Sequence, residues 1–187
     1  MAQMVTPLLR YIPLGLSLGG MATNSATPVD RWFAAYADDH RHPVNQRLHV
    51  ICVPAIVWSL LAILQSLPVP EILTTTFAVI GIEQGAWAAL AAVAAVLFWL
   101  WLSVPLGIGT AVLAALCFWV NASIMQSFGY LALLLGGIAV FVLAWIGQFV
   151  GHLVEGRRPS FFTDLVYLMI GPPWVLAKAY RLLGLER

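Results

Sequence analysis

A chain of 187 residues in which 61% are hydrophobic and 9% are charged cannot clothe a water-soluble surface, for which roughly 25% charged residues are usual. A formal net charge of +1 without a basic stripe excludes nucleic acid as a partner. One domain is the natural count for this length, and lipid supplies the surroundings that the missing polar surface leaves vacant, so the expected fold class is all-α: a polytopic membrane helical bundle.

Residues 1–28 come first. Arg10 followed by Tyr11 to Ala22 has the outline of a short signal peptide. Pro13 and several glycines interrupt it, however, and Arg31, Arg41 and Arg47 downstream oppose export. The segment reads as an interfacial or partly ordered lead-in to a single membrane-embedded domain over residues 29–187. His49 to Leu67, with Gln65 its strongly polar member, meets the length of about 20 residues that crosses about 30 Å of hydrocarbon. Residues 71–85 hold Glu71, Glu83 and three threonines around a short apolar stretch and read as an interfacial loop. The 35 residues from Ala86 to Val120 carry no charge, and as one helix they would be about 52 Å long. Pro105, Gly107 and Gly109 near the middle divide them into a hairpin of two crossings. Asn121 to Ser127 is the expected next turn and Phe128 to Val150 the fourth crossing. Residues 161–183 are broken by Gly171, Pro172 and Pro173, which suits a kinked, interfacial or re-entrant segment. Cys52 and Cys117 lie inside apolar runs and read as packing residues.

Four crossings return the chain to the face it left, so His49 and His152 emerge on one side. All nine Lys and Arg residues lie outside the segment between them, where the only charges are Glu71 and Glu83. The positive-inside rule then puts both termini and both histidine segments on the cytoplasmic face.

All four histidines fall within Tyr36 to Pro54 and Trp145 to Pro159. Pro43 suits a first helical turn, which sets Asn45 and His49 at i and i+4 on one side. Gln148, His152 and Glu155 follow at spacings of four and three, a polar stripe ending an apolar helix. Neutral imidazoles in such a set suit a divalent metal, three of them leaving positions open on a six-coordinate ion. Taken singly, each histidine also fits a membrane-edge residue satisfied by water or headgroups. Asn45, Gln148 and Glu155 are candidates to orient ring N–H groups, Glu155 is also a candidate ligand, and Tyr36 fits either an interface anchor or a catalytic group.

The pattern YADDHRHPVNQRLHVICVP, with Tyr36, His40, Asn45, His49 and Pro54, together with WIGQFVGHLVEGRRPS from Trp145 to Ser160, resembles the Mpo1-like family of membrane proteins. Its members are similar to an endoplasmic-reticulum enzyme of phytosphingosine breakdown, an Fe(II)-dependent 2-hydroxy fatty acid dioxygenase. The resemblance runs from about Val29 to Leu183, and its specificity lies in the two polar segments. It implies His40, His49 and His152 as ligands of Fe(2+), with Asn45, Glu155, Tyr36 and Gln148 beside them and His42 outside the motif. It also implies a 2-hydroxy fatty acid and O2 as reactants, with Arg47 or Arg158 steering the carboxylate. A bacterial inner membrane is the expected location. Three histidines accept zinc as readily as iron, so iron rests on the resemblance.

Other classes fit less well. A di-iron membrane hydroxylase needs around twice as many histidines as the four present. A transporter places ionisable groups near mid-membrane, whereas here they crowd one face. A purely structural membrane protein predicts histidines that diverge in space.

Overall fold

A computed structural model describes residues 27–78, 85–156 and 169–184, and these are helical with short connections. Helix α1 spans Pro28–Asp39, α2 Pro43–Ser66, α3 Glu71–Ala78, α4 Ala86–Leu102, α5 Val104–Val154 and α6 Gly171–Leu182. The lead-in expected over residues 1–28 lies almost wholly outside the described residues.

Local chemistry explains where each helix begins. Thr27 accepts a hydrogen bond from the Asp30 N–H while the Asp30 carboxylate accepts from the Thr27 N–H, a capping box ahead of Pro28. Pro43 opens α2 in the first turn, where a missing N–H costs nothing. Pro105 does the same for α5, so the chain breaks at Ser103, whose φ of −161° and ψ of 111° are extended, two residues before the proline. Residues 71–78, expected as loop, instead form α3. Its first carbonyl is doubly engaged, because the Thr74 and Thr75 hydroxyls both donate to the Glu71 carbonyl.

Helix α5 would be about 77 Å long if straight. It is divided at Gly129, where φ is 82° and ψ 175°, a conformation essentially confined to glycine. The two halves, 104–128 and 130–154, run in opposite directions along α2. Leu61 packs with Cys117 and Gln65 bonds Asn121, so the first half runs parallel to α2. Ala62 lies beside Gly137, Ile56 packs with Ala144 and Asn45 faces Gly151, so the second half is antiparallel. The reversal is therefore at Gly129, and Asn121 to Ser127, expected as the turn, are helical.

Helix α4 returns from Gly85, next to Gln65, to Trp99, which packs with Val29 and Leu106. Four passes thus line up, with α1 and α6 closing the end from which α2 departs. Helix α2 is central. Its buried residues Asn45, His49, Cys52, Ile56, Ser59, Ala62 and Gln65 recur at three- and four-residue steps and form one face.

Burial on α4 is inverted relative to a soluble helix. Ala86, Ala88, Ala89 and Ala92 are inside, while Leu90, Val93, Leu97 and Trp101 are outside. Along α5 the outward residues include Ile108, Val112, Leu116, Trp119, Leu131 and Leu135. Pro43–Ser66 and Val104–Val154 are long and apolar enough to cross a membrane.

Candidate metal centre

Three chain segments meet at the near end of α2. His40 caps the C-terminus of α1, His49 lies in the second turn of α2 and His152 in the last turn of α5. All three are buried, and one ring nitrogen from each lies within 4.8 Å of the others. Ring centroids are 4.2 Å apart for His40 and His49, 5.3 Å for His40 and His152, and 5.2 Å for His49 and His152.

The proton positions on two of the rings follow from their partners. His40 Nδ1 lies 2.6 Å from the Tyr36 carbonyl oxygen and His49 Nδ1 lies 3.0 Å from that of Asn45. A carbonyl only accepts, so both Nδ1 atoms donate and both Nε2 atoms of the neutral rings carry lone pairs. Those two lone-pair nitrogens face each other at 2.9 Å. Two acceptors at that distance repel unless a cation or proton lies between them. The spacing also suits ligation, since two nitrogens bound at about 2.1 Å and at right angles are about 3 Å apart. The donor set therefore fits a metal ion held by His40, His49 and His152.

The His40 and His49 ring N–H groups are held by main-chain carbonyls four residues upstream, which a ring near a helix end reaches directly, and not by side chains. Asn45 contributes through its carbonyl to His49, while its side-chain Nδ2 donates to Glu155 Oε2 at 3.1 Å. Glu155 is the junction between the two polar segments. Its Oε1 accepts from the Arg41 N–H at 3.0 Å and its Oε2 from the His42 N–H at 2.8 Å. Desolvation raises its pKa, but the His42 N–H, the Asn45 amide and the Arg41 N–H outweigh it and hold the carboxyl below its ordinary value. With both oxygens engaged by donors at the start of α2, Glu155 clasps the turn that carries His40 to the end of α5.

Tyr36 is buried, stacked on His40 with centroids 4.1 Å apart and 5.1 Å from Trp174, so it is a wall of the site and not an interface anchor. Gln148 is buried one turn before His152. His42 is outside the cluster, and its ring caps α2 by accepting from the Val44 N–H at 3.2 Å. Arg47 is exposed and lies two positions from both Asn45 and His49, about 200° around the helix from each; it does not share their face. Arg158 lies outside the described residues.

Three neighbours were not among the sequence candidates. The Gln46 Nε2 donates to the His40 carbonyl at 2.7 Å, and its Oε1 accepts from Lys178 Nζ at 2.9 Å. Lys178 sits 3.9 Å above the Trp174 ring, and desolvation, then Arg181, lowers its pKa. Only an amphipathic reading of α6, with Trp174 and Lys178 four residues apart, points to these last two. A close approach completes the site: a Cβ on Gly151 would collide with the Asn45 side-chain oxygen.

The fold and the site together define a helical protein with a buried three-histidine centre fit for a metal. The chain belongs to the Mpo1-like family, described as 2-hydroxy-palmitic acid dioxygenase Mpo1-like, whose signature matches residues 26–182. Neither the curated proteins nor the solved structures give a match.

Proposed function

We propose that the protein is a membrane-embedded Fe(II)-dependent dioxygenase that shortens 2-hydroxy fatty acids by one carbon. The observation that carries this reading is the pair of Nε2 lone pairs held 2.9 Å apart beside His152, in a chain of a family described by that activity. The balance is complete without a cosubstrate: R–CH(OH)–COOH plus O2 gives R–COOH, CO2 and H2O, the carbon–carbon bond to the carboxyl breaking as O2 takes up four electrons. When bound, ferrous iron supplies the means of activating O2 next to a chelating hydroxyl and carboxylate. His40, His49 and His152 would hold it. Tyr36 and Trp174 exclude water from the ring stack, the Tyr36 and Asn45 carbonyls keep the two Nδ1 protons in place, and Glu155 fixes the turn that delivers His40.

Membrane embedding is supported by the outward-facing large residues of α4 and α5 against an alanine-lined interior, since a water-exposed apolar surface on this scale is not tolerated. Arg31, Arg41, Arg47, Lys178 and Arg181 all lie at the histidine end, which by the positive-inside rule faces the cytoplasm; an inner bacterial membrane is the proposed setting. The decisive experiment gives carboxyl-labelled 2-hydroxy fatty acid to purified, anaerobically iron-loaded protein and then admits O2. Labelled CO2 is expected in step with the shortened acid, without 2-oxoglutarate or a nicotinamide. Label retained in the lipid, or a stoichiometric need for reductant, overturns the reading.

A further inference from the structure

An acyl chain has to be housed if a fatty acid reacts at the histidines, and the bundle contains a place for it. Between α2, α4, the first half of α5 and the start of α6 lies a cavity of about 190 Å³, walled by Val57, Leu61, Ala91, Ala95, Leu113 and Pro173 among others. An apolar cavity of about 150 Å³ already takes up a small hydrocarbon and excludes water. The hydroxyl of Thr110, also in the wall, donates to the Leu106 carbonyl at 2.8 Å, so this wall group is already engaged. The occupant the cavity fits is hydrocarbon.

Two observations join it to the histidines. His49, Val53, Val57 and Leu61 occupy successive i+4 positions of α2 and share one face; Val57 is about 12 Å from His49 along the axis. The partition between them is thin. Pro173 is cavity wall, while the adjacent Trp174 packs on Tyr36, and a Cβ on Gly171 would lie 3.2 Å from the Tyr36 hydroxyl and 3.5 Å from the Val53 methyls. One valine and the first turn of α6 separate the site from the cavity.

We propose that this cavity is the acyl-chain subsite and that the alanines of α4 set the chain length. An alkyl tail passes Val53 and runs along α4 from Ala95, nearer the site, toward Ala91, one turn deeper. Only methyl side chains at these positions leave the path open. That the tail belongs to a 2-hydroxy acid held at the histidines rests on the function proposed above. A substrate arriving from lipid exchanges one apolar environment for another, so burial of each methylene contributes little to affinity. The subsite therefore selects by exclusion, and a longer chain is refused where a wall side chain fills the path.

The test uses the full-length iron-loaded protein in lipid nanodiscs with a homologous series of 2-hydroxy fatty acids, read both by competition with one labelled short-chain acid that every variant still binds and by turnover. Ala95→Leu and Ala91→Leu block the cavity one turn apart, and Leu113→Ala widens it. Overpacking should weaken binding of acids beyond the block at least about tenfold while shorter acids bind as before. The cut-off for Ala95→Leu should fall about 6 Å, roughly five methylenes, below that for Ala91→Leu. Leu113→Ala should move the limit the other way, so a plug that fails to fold leaves the opposite arm standing. An unchanged length profile in variants that retain metal overturns the subsite even if every one releases CO2. A profile that shifts as described without any CO2 leaves the subsite standing and removes the dioxygenase. A resident phospholipid, lost from Ala91→Leu yet not displaced by the acids, also overturns it.

Discussion

Helix α2 carries a buried polar group at each end, and the two are built on different principles. At the far end the Asn121 Nδ2 donates to the Gln65 Oε1 at 2.9 Å, a donor meeting an acceptor between neutral amides. At the near end the His40 and His49 rings present acceptor to acceptor at 2.9 Å, because backbone carbonyls have taken their N–H groups. Burial of polar residues is common to both and identifies neither. What distinguishes the near end is that fixed carbonyl acceptors hold the two ring N–H groups and so turn two nitrogen lone pairs toward each other, an arrangement that repels unless a cation or proton lies between them. The first arrangement locks helices; the second makes a site.

Removing a ring should separate the two ends most sharply. His49→Ala is expected to lose its metal and at least about 100-fold in turnover, more than loss of an orienting group typically costs, as read by elemental analysis and product formation. His42→Ala, which removes only a helix cap, should keep the metal and lose about 1 kcal/mol of stability.

Glu155→Gln tests whether the clasp is needed to complete the near end, and a 10- to 100-fold weaker metal affinity is expected by titration. The same variant has a pH signature. A carboxyl whose folded pKa is depressed contributes stability above its unfolded pKa and loses it as the pH falls through the folded value. The wild-type melting temperature should drop across that acid range for this reason, and in Glu155→Gln that component should be missing.

Gly151→Ala forces α5 away from Asn45 and should cost about 1–3 kcal/mol by overpacking, with weaker metal binding as well. Asn121→Leu acts on the far end alone. Asn121 Oδ1 is buried without a hydrogen-bond partner in the structure, so the exchange forfeits one hydrogen bond and strands Gln65, about 1–3 kcal/mol in all. Metal occupancy should not change. A metal loss in Asn121→Leu equal to that in Gly151→Ala would erase the distinction between the ends.

The residues of the near end were legible from sequence because polar side chains stand out where most positions are apolar, and because the break before Pro105 obeys proline's local preference. The turn at Gly129 was not. Asn121 resembles a turn residue locally, but its amide is satisfied by Gln65, 56 positions earlier, so it stays helical and the reversal moves to the nearest glycine able to take φ of 82°. Glu155 was visible as a polar residue but not as a clasp, since its three donors lie more than a hundred positions away on Arg41, His42 and Asn45. Lys178 and Trp174 escaped notice because their meaning comes from Gln46, on another helix.

The positions of the histidines in the chain have a mechanical consequence. Residues 40, 49 and 152 belong to the start and the end of the bundle, so a protein loaded at all three is a closed ring of about 110 residues that contains α2, α4 and both halves of α5. Closing so long a loop removes conformational freedom from the denatured chain, and the ring opens only when a ligand lets go. The loaded protein should therefore resist pulling and proteolysis at a rate set by ion release, whereas the stripped protein frays from its two polar segments inward.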